Sequence, residues 1–141
     1  RVASFWRVVT IVLTVVFGFY GARQNAYDVF LIESEMVTTA KWVGQNLPAD
    51  ARLAVHDIGA LGYHVQNPLV DMAGLITPEV VTFIRDEDRL AEYLDAKSVD
   101  YLITFPSFYP QLSSQHDSVF EAGLEFEPLQ FDENMQVYRW K

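Results

Sequence analysis

The chain lacks cysteine and holds few basic residues for its length. Its 141 residues include 10 Lys and Arg against 19 Asp and Glu, giving a formal net charge of −9. Without cysteine there is no disulfide framework, no thiol nucleophile and no thiolate zinc site. The acidic balance argues against a nucleic-acid backbone as partner. No internal repeat or low-complexity tract is present, and half of the residues are hydrophobic, which argues against disorder.

Acidic residues are also absent from the first 23 positions, which carry three arginines. An uncharged run extends from Val8 to Ala22. A helix over residues 2–22 would be about 31 Å long, near the thickness of a hydrocarbon core. Aromatic residues flank the run at both ends, as in interfacial belts. We therefore predict that residues 1–23 form a transmembrane helix; the alternatives are a buried strand or core helix and a signal peptide.

The charges predict an orientation for this helix. Arg1 and Arg7 lie at its N-terminal end, and basic residues favour the cytoplasmic side. Residues 24–141, with 7 basic and 19 acidic residues, would then form a soluble extracytoplasmic domain of a cell-membrane protein. Because the chain begins with Arg rather than Met, we expect it to be part of a longer protein. Residues 1–23 would be the last membrane span of that protein.

Residues 24–141 predict a small mixed-sheet α/β domain with a C-terminal β-hairpin. Apolar residues at spacings of three and four predict a helix over residues 24–48. Strands that alternate with helices favour a layered α/β fold, with the hairpin at the edge of its sheet. The remaining predicted elements are a strand at Leu53–His56, a turn and short helix at Asp57–His64, a strand at Leu69–Asp71, a helix of some eight residues from Pro78 with Thr77 as N-cap, a helix at Asp86–Ala96, a strand at Asp100–Phe105, a loop with one helical turn over residues 106–118, and the hairpin strands Leu124–Phe131 and Met135–Trp140.

The stretch after the first strand is the most motif-like part of the chain. It reads Asp57-x-Gly59-x-x-Gly62, a pattern in which glycines can let the backbone approach a phosphate or nucleoside. The first glycine of the dinucleotide fingerprint is missing, however. The alternative is that Asp57 caps the turn and the glycines permit tight backbone geometry. We expect this structural role and no cofactor.

Histidines and carboxylates near the strand ends could also carry chemistry. His56, His64 and Asp71 offer metal-binding groups, but their spacing matches no compact ligand motif. We expect no metal, and instead a His–Asp pair that orders a loop. Asp57 and Asp71 end neighbouring strands, where paired carboxylates could act as acid and base. Because carboxylates at strand ends are more often caps, we assign no catalytic residue.

An aromatic loop follows the last internal strand. It contains Phe105, Phe108 and Tyr109 with two prolines, Pro106 and Pro110. These side chains can plug the core, or they can form a contact surface for a sugar, a lipid headgroup or another domain. The core role is favoured.

Two strings of residues resemble a known family. The run DIGALGY at residues 57–63 and the run LVDMAGLITPE at residues 69–79 are similar to the C-terminal soluble region of bacterial polytopic membrane glycosyltransferases. These enzymes are of the GT-C type, similar to dolichyl-phosphate-mannose protein mannosyltransferases and to the aminoarabinose transferases of lipid A. The layout upstream, a last membrane span and then a helix ending at Pro48, agrees with the resemblance.

The resemblance implies an accessory role for this chain. In that family, sugar transfer from a polyprenyl-phosphate donor relies on acidic residues near the N-terminal spans, so no catalytic residue carries over. The implied partners are the bilayer, the remaining transmembrane spans of the parent protein and a lipid-linked sugar or acceptor, with no nucleic acid. The residues expected to shape the strand ends and turns are Asp57, Gly59, Gly62, Tyr63, Asp71, Gly74 and Pro78.

Two other classes of function stay open. The first is a membrane-anchored binding or interaction module without transferase activity, with Phe105–Pro110 as its contact surface. The second is a small domain that binds a nucleotide or S-adenosylmethionine at the turn after Asp57.

Overall fold

The computed structural model describes residues 2–123 and 133–141. The chain divides into two compact units, of which the first ends at Leu31 and the second comprises Ile32–Lys141. The predicted end of the membrane span, residue 23, comes before this division, because the helix that contains the span continues beyond its apolar part.

The first unit is a single helix, α1 (Val2–Leu31). Its 30 residues span about 45 Å, and the first proline of the chain comes only at Pro48, so nothing in its sequence breaks the helix. None of its residues is buried, although most of its side chains up to Ala22 are apolar. The helix is long and apolar enough to cross a membrane. Burial in a bilayer would remove these apolar side chains from water, so α1 is suited to anchor the protein.

The second unit alternates helices and strands. In chain order its elements are a π-helix (Ile32–Val37), α2 (Thr38–Asn46), β1 (Leu53–Val55), α3 (Ile58–His64), β2 (Leu69–Asp71), a 3₁₀ helix (Pro78–Thr82), α4 (Glu87–Ala96), β3 (Tyr101–Thr104), a second 3₁₀ helix (Pro106–Phe108), α5 (Pro110–Gln115), β4 (Ser118–Glu121) and β5 (Gln136–Arg139).

The strands form one mixed five-stranded sheet in the order β2-β1-β3-β5-β4. Strands β2, β1 and β3 are parallel, whereas β5 is antiparallel to both β3 and β4. From β1 the chain passes through α3 to β2 on one side of β1. From β2 it crosses back through α4 to β3 on the other side of β1. Crossovers of one hand in opposite directions place α3 and α4 on opposite faces of the sheet. The predicted α/β class with a mixed sheet is confirmed.

Both faces of the central strands are covered. All three residues of β1 are fully buried, as expected for a parallel strand between two helical layers. Ala54, Leu102 and Tyr138 lie in register across three strands and pack into one core with Leu90 and Leu94 of α4. The residues next to these in each strand point to the other face of the sheet, on the side of α3. Helix α3 in turn contacts α2 and the π-helix.

The helix predicted to begin at Pro78 is shorter and tighter than expected. It is a 3₁₀ helix of five residues, and the Thr77 side chain makes no capping hydrogen bond. Thr77 occupies the N-cap position with Pro78 first in the helix, as predicted, and its carbonyl accepts from the N–H of Val80. Its own backbone N–H donates to the Asp71 carboxylate. Asp86 caps the next helix with its side chain, accepting from the N–H of Arg89, so the helix predicted from Asp86 to Ala96 is confirmed.

The C-terminal antiparallel pair is present, with a different first strand. The partner of β5 is β4 (Ser118–Glu121), which overlaps the predicted loop over residues 106–118 only at Ser118. The helical turn predicted within that loop is present as the six-residue helix α5. The predicted strand Leu124–Phe131 lies outside the described residues.

A buried carboxylate lies in the π-helix. Glu35 is fully buried, and its Oε2 accepts a hydrogen bond of 2.9 Å from the backbone N–H of Met135, beside β5. The Ser34 hydroxyl donates to the other oxygen at 3.4 Å. Burial raises the pKa of the Glu35 carboxyl; the two hydrogen bonds lower it in part, and the charge of Glu121 raises it further. Glu35 comes after the apolar run that ends at Ala22, and it links the start of the second unit to its last strand.

We expect Glu35→Gln to stabilise the protein at neutral pH. The amide oxygen can still accept from Met135, and the substitution removes the desolvation penalty of a buried charge. Because the folded-state pKa is raised, wild-type stability is lost as the pH rises from about 4.3, the value of an unfolded glutamate, through the folded-state pKa. The gain from Glu35→Gln should therefore grow with pH over that window in denaturant melts.

The matched control is Glu33→Gln, because Glu33 lies in the same π-helix but is exposed. That change should stay within about 0.5 kcal/mol of wild type at every pH. A Glu35→Gln protein less stable than wild type at pH 7 would contradict the assignment, since it would mean that the fold depends on the ionised carboxylate.

Candidate functional site

The candidate site is the edge of the sheet where β1, β2 and β3 end. The parallel order β2-β1-β3 puts a topological switch point between β1 and β3, and ligands of α/β folds bind outside the carboxyl ends of strands at such a point. The segments that follow these three strands begin with His56 and Asp57, with Met72, and with Phe105. This edge, which we call the switch-point edge, collects most of the residues singled out from the sequence.

Asp57 closes the turn after β1. It is the N-cap of α3, and its Oδ1 accepts from the backbone N–H of Gly59 at 2.8 Å. Gly59 has an ordinary backbone conformation; a Cβ there would lie 3.1 Å from that carboxylate oxygen. Gly62 packs near the Leu69 side chain of β2, with ordinary space for a Cβ. The capping role predicted for Asp57 is confirmed; Gly59 lies close to its carboxylate, whereas Gly62 leaves room for a side chain.

Asp71 holds the loop after β2 with four hydrogen bonds. Its Oδ1 accepts from the N–H groups of Ala73 and Gly74 at 2.8 and 3.0 Å. Its Oδ2 accepts from those of Ile76 and Thr77 at 2.7 and 3.0 Å. The residue is 1% exposed. Burial alone would raise the pKa of the Asp71 carboxyl, but the four donors together outweigh burial and hold this pKa below its ordinary value.

Gly74 is the glycine whose backbone conformation this loop requires. Its φ is +78°, in the left-handed region that other residues rarely adopt. A Cβ on Gly74 would also lie 2.4 Å from Cγ2 of Val81, well inside contact distance. The loop after β2 therefore depends on an Asp at its start and a Gly three residues later.

The two carboxylates therefore serve their own loops. Asp57 and Asp71 were candidates for paired acid and base work, but each accepts hydrogen bonds from backbone groups that follow it. Within residues 2–123 and 133–141, no group of three or more His, Asp or Glu side chains is placed to hold a metal ion. Both carboxylates at this edge are therefore loop-forming groups.

His56 and Tyr109 link the ends of all three parallel strands. The His56 Nδ1 lies 2.9 Å from the Tyr109 hydroxyl, which donates to the carbonyl of Met72 at 3.3 Å. A histidine protonated at Nδ1 donates to that hydroxyl and satisfies both bonds. The predicted His–Asp pair is thus replaced by a His–Tyr pair, while Asp71 orders its loop alone. These hydrogen bonds connect the residues after β1 and β2 to the aromatic loop after β3.

Burial shifts both groups of this pair. Desolvation lowers the pKa of His56, although the charges of Asp57 and Asp71 oppose it. Desolvation also raises the pKa of Tyr109 to about 12. Both side chains are therefore neutral near pH 7, which suits a hydrogen-bonded link between strand ends.

The aromatic side chains of the loop after β3 fill both predicted roles, in the core and at the surface. Phe105 and Tyr109 are 8% and 3% exposed and belong to the core, as favoured from the sequence. Phe108 is 49% exposed, and its ring meets His56 edge to face at 4.6 Å between centroids. Ser107 donates hydrogen bonds from its N–H and its hydroxyl to the Glu133 carboxylate. Only Phe108 of the three aromatic residues is available at the surface.

The structure places the remaining predicted residues less centrally. Tyr63 lies near the end of α3 and is 83% exposed, with its ring against that of His64. Pro78 begins the 3₁₀ helix after the Asp71 loop. Sequence reasoning missed Glu35, the bond between His56 and Tyr109, and the exposure of Leu75 and Ile76. The uncharged run between Asp71 and Glu79 was the signal that could have drawn attention to the last of these.

The comparison with protein-family models identifies the family. The chain belongs to DUF8728, described as a domain of unknown function, whose model matches residues 20–138. No curated protein and no solved structure matches the chain. The matched residues include the sheet, apart from Arg139 at the end of β5, and the switch-point edge.

We expect Gly74→Ala to destabilise the protein by about 1–3 kcal/mol, because alanine would be strained at φ +78° and would press on Val81. The matched control is Gly62→Ala, which has room for its methyl group and improves helix propensity by up to about 1 kcal/mol. Denaturant melts of the two variants measure the difference. Equal stabilities would contradict the conformation assigned to Gly74.

We expect Asp71→Asn to cost at least about 2 kcal/mol, because the amide has one acceptor oxygen for four backbone donors. The lowered pKa of Asp71 means that its contribution is present above about pH 3.9 and is lost as the pH falls through the folded-state value. The variant should therefore differ most from wild type near neutral pH. Asp57→Asn, which affects a single bond, is the control and should cost under about 1 kcal/mol.

Proposed function

We propose that this chain is an accessory, non-catalytic domain of a membrane glycosyltransferase that uses a polyprenyl-phosphate-linked sugar donor. The domain is held at the membrane by α1 and lies on the extracytoplasmic side. It positions or covers the membrane-embedded part of the enzyme and performs no bond-making step itself.

The hydrogen bonds that Asp57 and Asp71 accept are the observation that supports a non-catalytic role. The switch-point edge is where an α/β fold would bind a substrate, yet Asp57 and Asp71 accept hydrogen bonds from their own turns. Tyr109 links the same edge to His56 and to Met72. Groups fixed in this way stabilise loops, and a catalytic carboxylate would instead need to face a substrate.

The residues behind the family resemblance have matching structural roles. In the run DIGALGY, Asp57 caps α3 through the N–H of Gly59. In the run LVDMAGLITPE, Asp71 binds four N–H groups and Gly74 supplies the positive φ. Both strings are turn-forming sequences, so a resemblance based on them supports a shared loop architecture. The glycosyltransferase context is inferred from that resemblance.

The membrane location rests on α1. Its apolar length fits a bilayer, and the arginines at its N-terminal end favour the cytoplasm for that end. The second unit would then lie outside the cytoplasm. In the glycosyltransferase family that the sequence resembles, polyprenyl-phosphate sugars are presented on that side of the membrane.

A membrane-anchored interaction module is the second candidate. The exposed side chain of Phe108 favours it, as do the exposed aliphatic side chains of Leu75 and Ile76. The two candidates differ in whether sugar transfer depends on the domain.

The test is sugar transfer in native membranes, with a radiolabelled sugar supplied as its polyprenyl phosphate. Deleting residues 32–141 from the full-length protein should lower transfer at least tenfold, because the accessory domain is lost. Asp57→Asn should leave transfer within about twofold, since loss of a catalytic acid or base costs on the order of 10²–10⁴ in rate. Melting of each variant in the same membranes reports whether it is folded.

Two results would overturn the proposal. Unchanged transfer after the deletion would assign the domain no part in the reaction and would favour the interaction module. A large loss of transfer in a folded Asp57→Asn protein would show that the domain is catalytic.

A further inference from the structure

A buried carboxylate connects the π-helix to the pair of strands β4 and β5. The π-helix brings Glu35 into the interior together with Ser34 and Val37. The Glu35 Oε2 accepts from the backbone N–H of Met135 at 2.9 Å, and the carbonyl of Met135 accepts from the N–H of Ala122 at 2.8 Å. Short π-helical segments are rare and are often found at functional sites. The contact between Glu35 and Met135 therefore fastens the first segment of the second unit to its last strand pair.

The donors around Glu35 suit a protonated carboxyl better than an ionised one. An ionised carboxylate has two oxygens with about four acceptor sites. Within the described residues, its donors are the N–H of Met135 and the Ser34 hydroxyl, the latter at a long 3.4 Å. The protonated form uses the same two partners fully, because its O–H can donate to the Ser34 hydroxyl, which accepts as well as donates. The neutral form thus fits the site and the ionised form lacks donors.

Asp71 shows what a buried, ionised carboxylate requires in this protein. Asp71 is 1% exposed and Glu35 is 0% exposed. Asp71 accepts from four backbone N–H groups, whereas Glu35 accepts from one. The donors outweigh burial at Asp71 and lower its pKa, but they do not outweigh burial at Glu35, whose pKa is raised. Only Asp71 has the surroundings of a permanent charge.

The charges around Glu35 also oppose its ionisation. In the part of the chain that the structure describes, the charge that acts on Glu35 is that of Glu121 on β4, which raises the pKa. The Glu121 Oε1 accepts from Nδ2 of Asn134 at 3.0 Å, so the two carboxylates bind consecutive residues, Asn134 and Met135. Like charges this close disfavour the second ionisation. The titratable groups of the other elements around it, whose charges do not contribute to this shift, are Glu33, Lys41, Tyr63, His64, Tyr138 and Arg139.

We propose that the contact between Glu35 and Met135 is a pH-sensitive switch, closed when the carboxyl is protonated and open when it is ionised. Opening hydrates the carboxylate and frees the π-helix and the start of β5, while the parallel strands stay folded. Residues 32–37 directly follow α1 in the chain, so the switch acts at the segment that joins the anchor helix to the domain. It does not rest on the proposed function.

The switch opens as the pH rises. Because the pKa of Glu35 is raised in the folded protein, its contribution to stability is complete below about pH 4.3, the unfolded value, and is lost as the pH rises through the folded-state pKa. Within that window each pH unit favours the open form by up to about tenfold. The contact is therefore closed in acid and opens towards higher pH.

Amide hydrogen exchange of the full-length protein in its membrane tests this switch. Rates between about pH 5 and about pH 8 are divided by those of an unstructured peptide at the same pH, because chemical exchange itself depends on pH. Protection of the peptides covering residues 32–38 and 133–139 should fall at least about tenfold over this range. The peptide covering β1 should stay at least about tenfold better protected than either at about pH 8, since the opening is local.

Three substitutions separate the Glu35 carboxyl from other titrating groups. Glu35→Gln should keep the protection of both peptides within about twofold across the range, because its amide stays neutral and still accepts from Met135. Glu33→Gln, the matched control at an exposed position of the same π-helix, should behave as wild type. Glu121→Gln removes the neighbouring charge while its amide oxygen can still accept from Asn134, and it should move the midpoint of the change to lower pH.

Three results would overturn the switch: protection of both peptides that does not change with pH in wild type; the same fall in Glu35→Gln; or exchange of β1 at the rate of both peptides at about pH 8, which would mean that only global unfolding exposes Glu35. If Glu35→Gln does not fold, a midpoint that Glu121→Gln leaves in place contradicts the proposal equally. None of these results depends on sugar transfer, so the proposed function stands or fails separately.

Discussion

The hydrogen bonds from four backbone N–H groups to the buried carboxylate of Asp71 are the interaction on which the rest of the switch-point edge depends. The ionised carboxylate of Asp71 is almost fully buried, and the four N–H donors replace the hydration that burial removes. They also hold the N–H of Gly74, which has the left-handed conformation, and the N–H of Thr77, the residue before the 3₁₀ helix. One carboxylate thus determines a loop, a glycine and the start of the next element.

The sheet and its loops form one connected unit around that carboxylate. The parallel strands end at one edge, and Tyr109 joins the segments after β1, β2 and β3 through His56 and Met72. Glu35 joins the π-helix to Met135, just before β5 begins beside the end of β3. Polar groups that would elsewhere suggest chemistry therefore maintain the fold.

Periodicity and local turn chemistry were enough to predict most of the fold. The apolar N-terminal helix, the strands β1, β2 and β3, the helix capped by Asp86 and the last strand β5 follow from patterns within short windows. Local reasoning failed where a distant or competing partner decides. The helix after Thr77 is a short 3₁₀ helix beside the loop that Asp71 holds, and β4 is recognised only through its pairing with β5.

In the candidate site, too, contacts between near neighbours in the sequence could be predicted and contacts between distant residues could not. The Asp57 cap is a bond between residues two positions apart, so it could be predicted, whereas Tyr109 lies 53 positions from His56 and Met135 lies 100 from Glu35. The central claim is that Asp71 holds residues 73–77 rigidly, and amide hydrogen exchange of the full-length protein tests it most directly. A peptide covering residues 72–78 should exchange as slowly as β1. Exchange at the rate of an unstructured peptide would contradict the account.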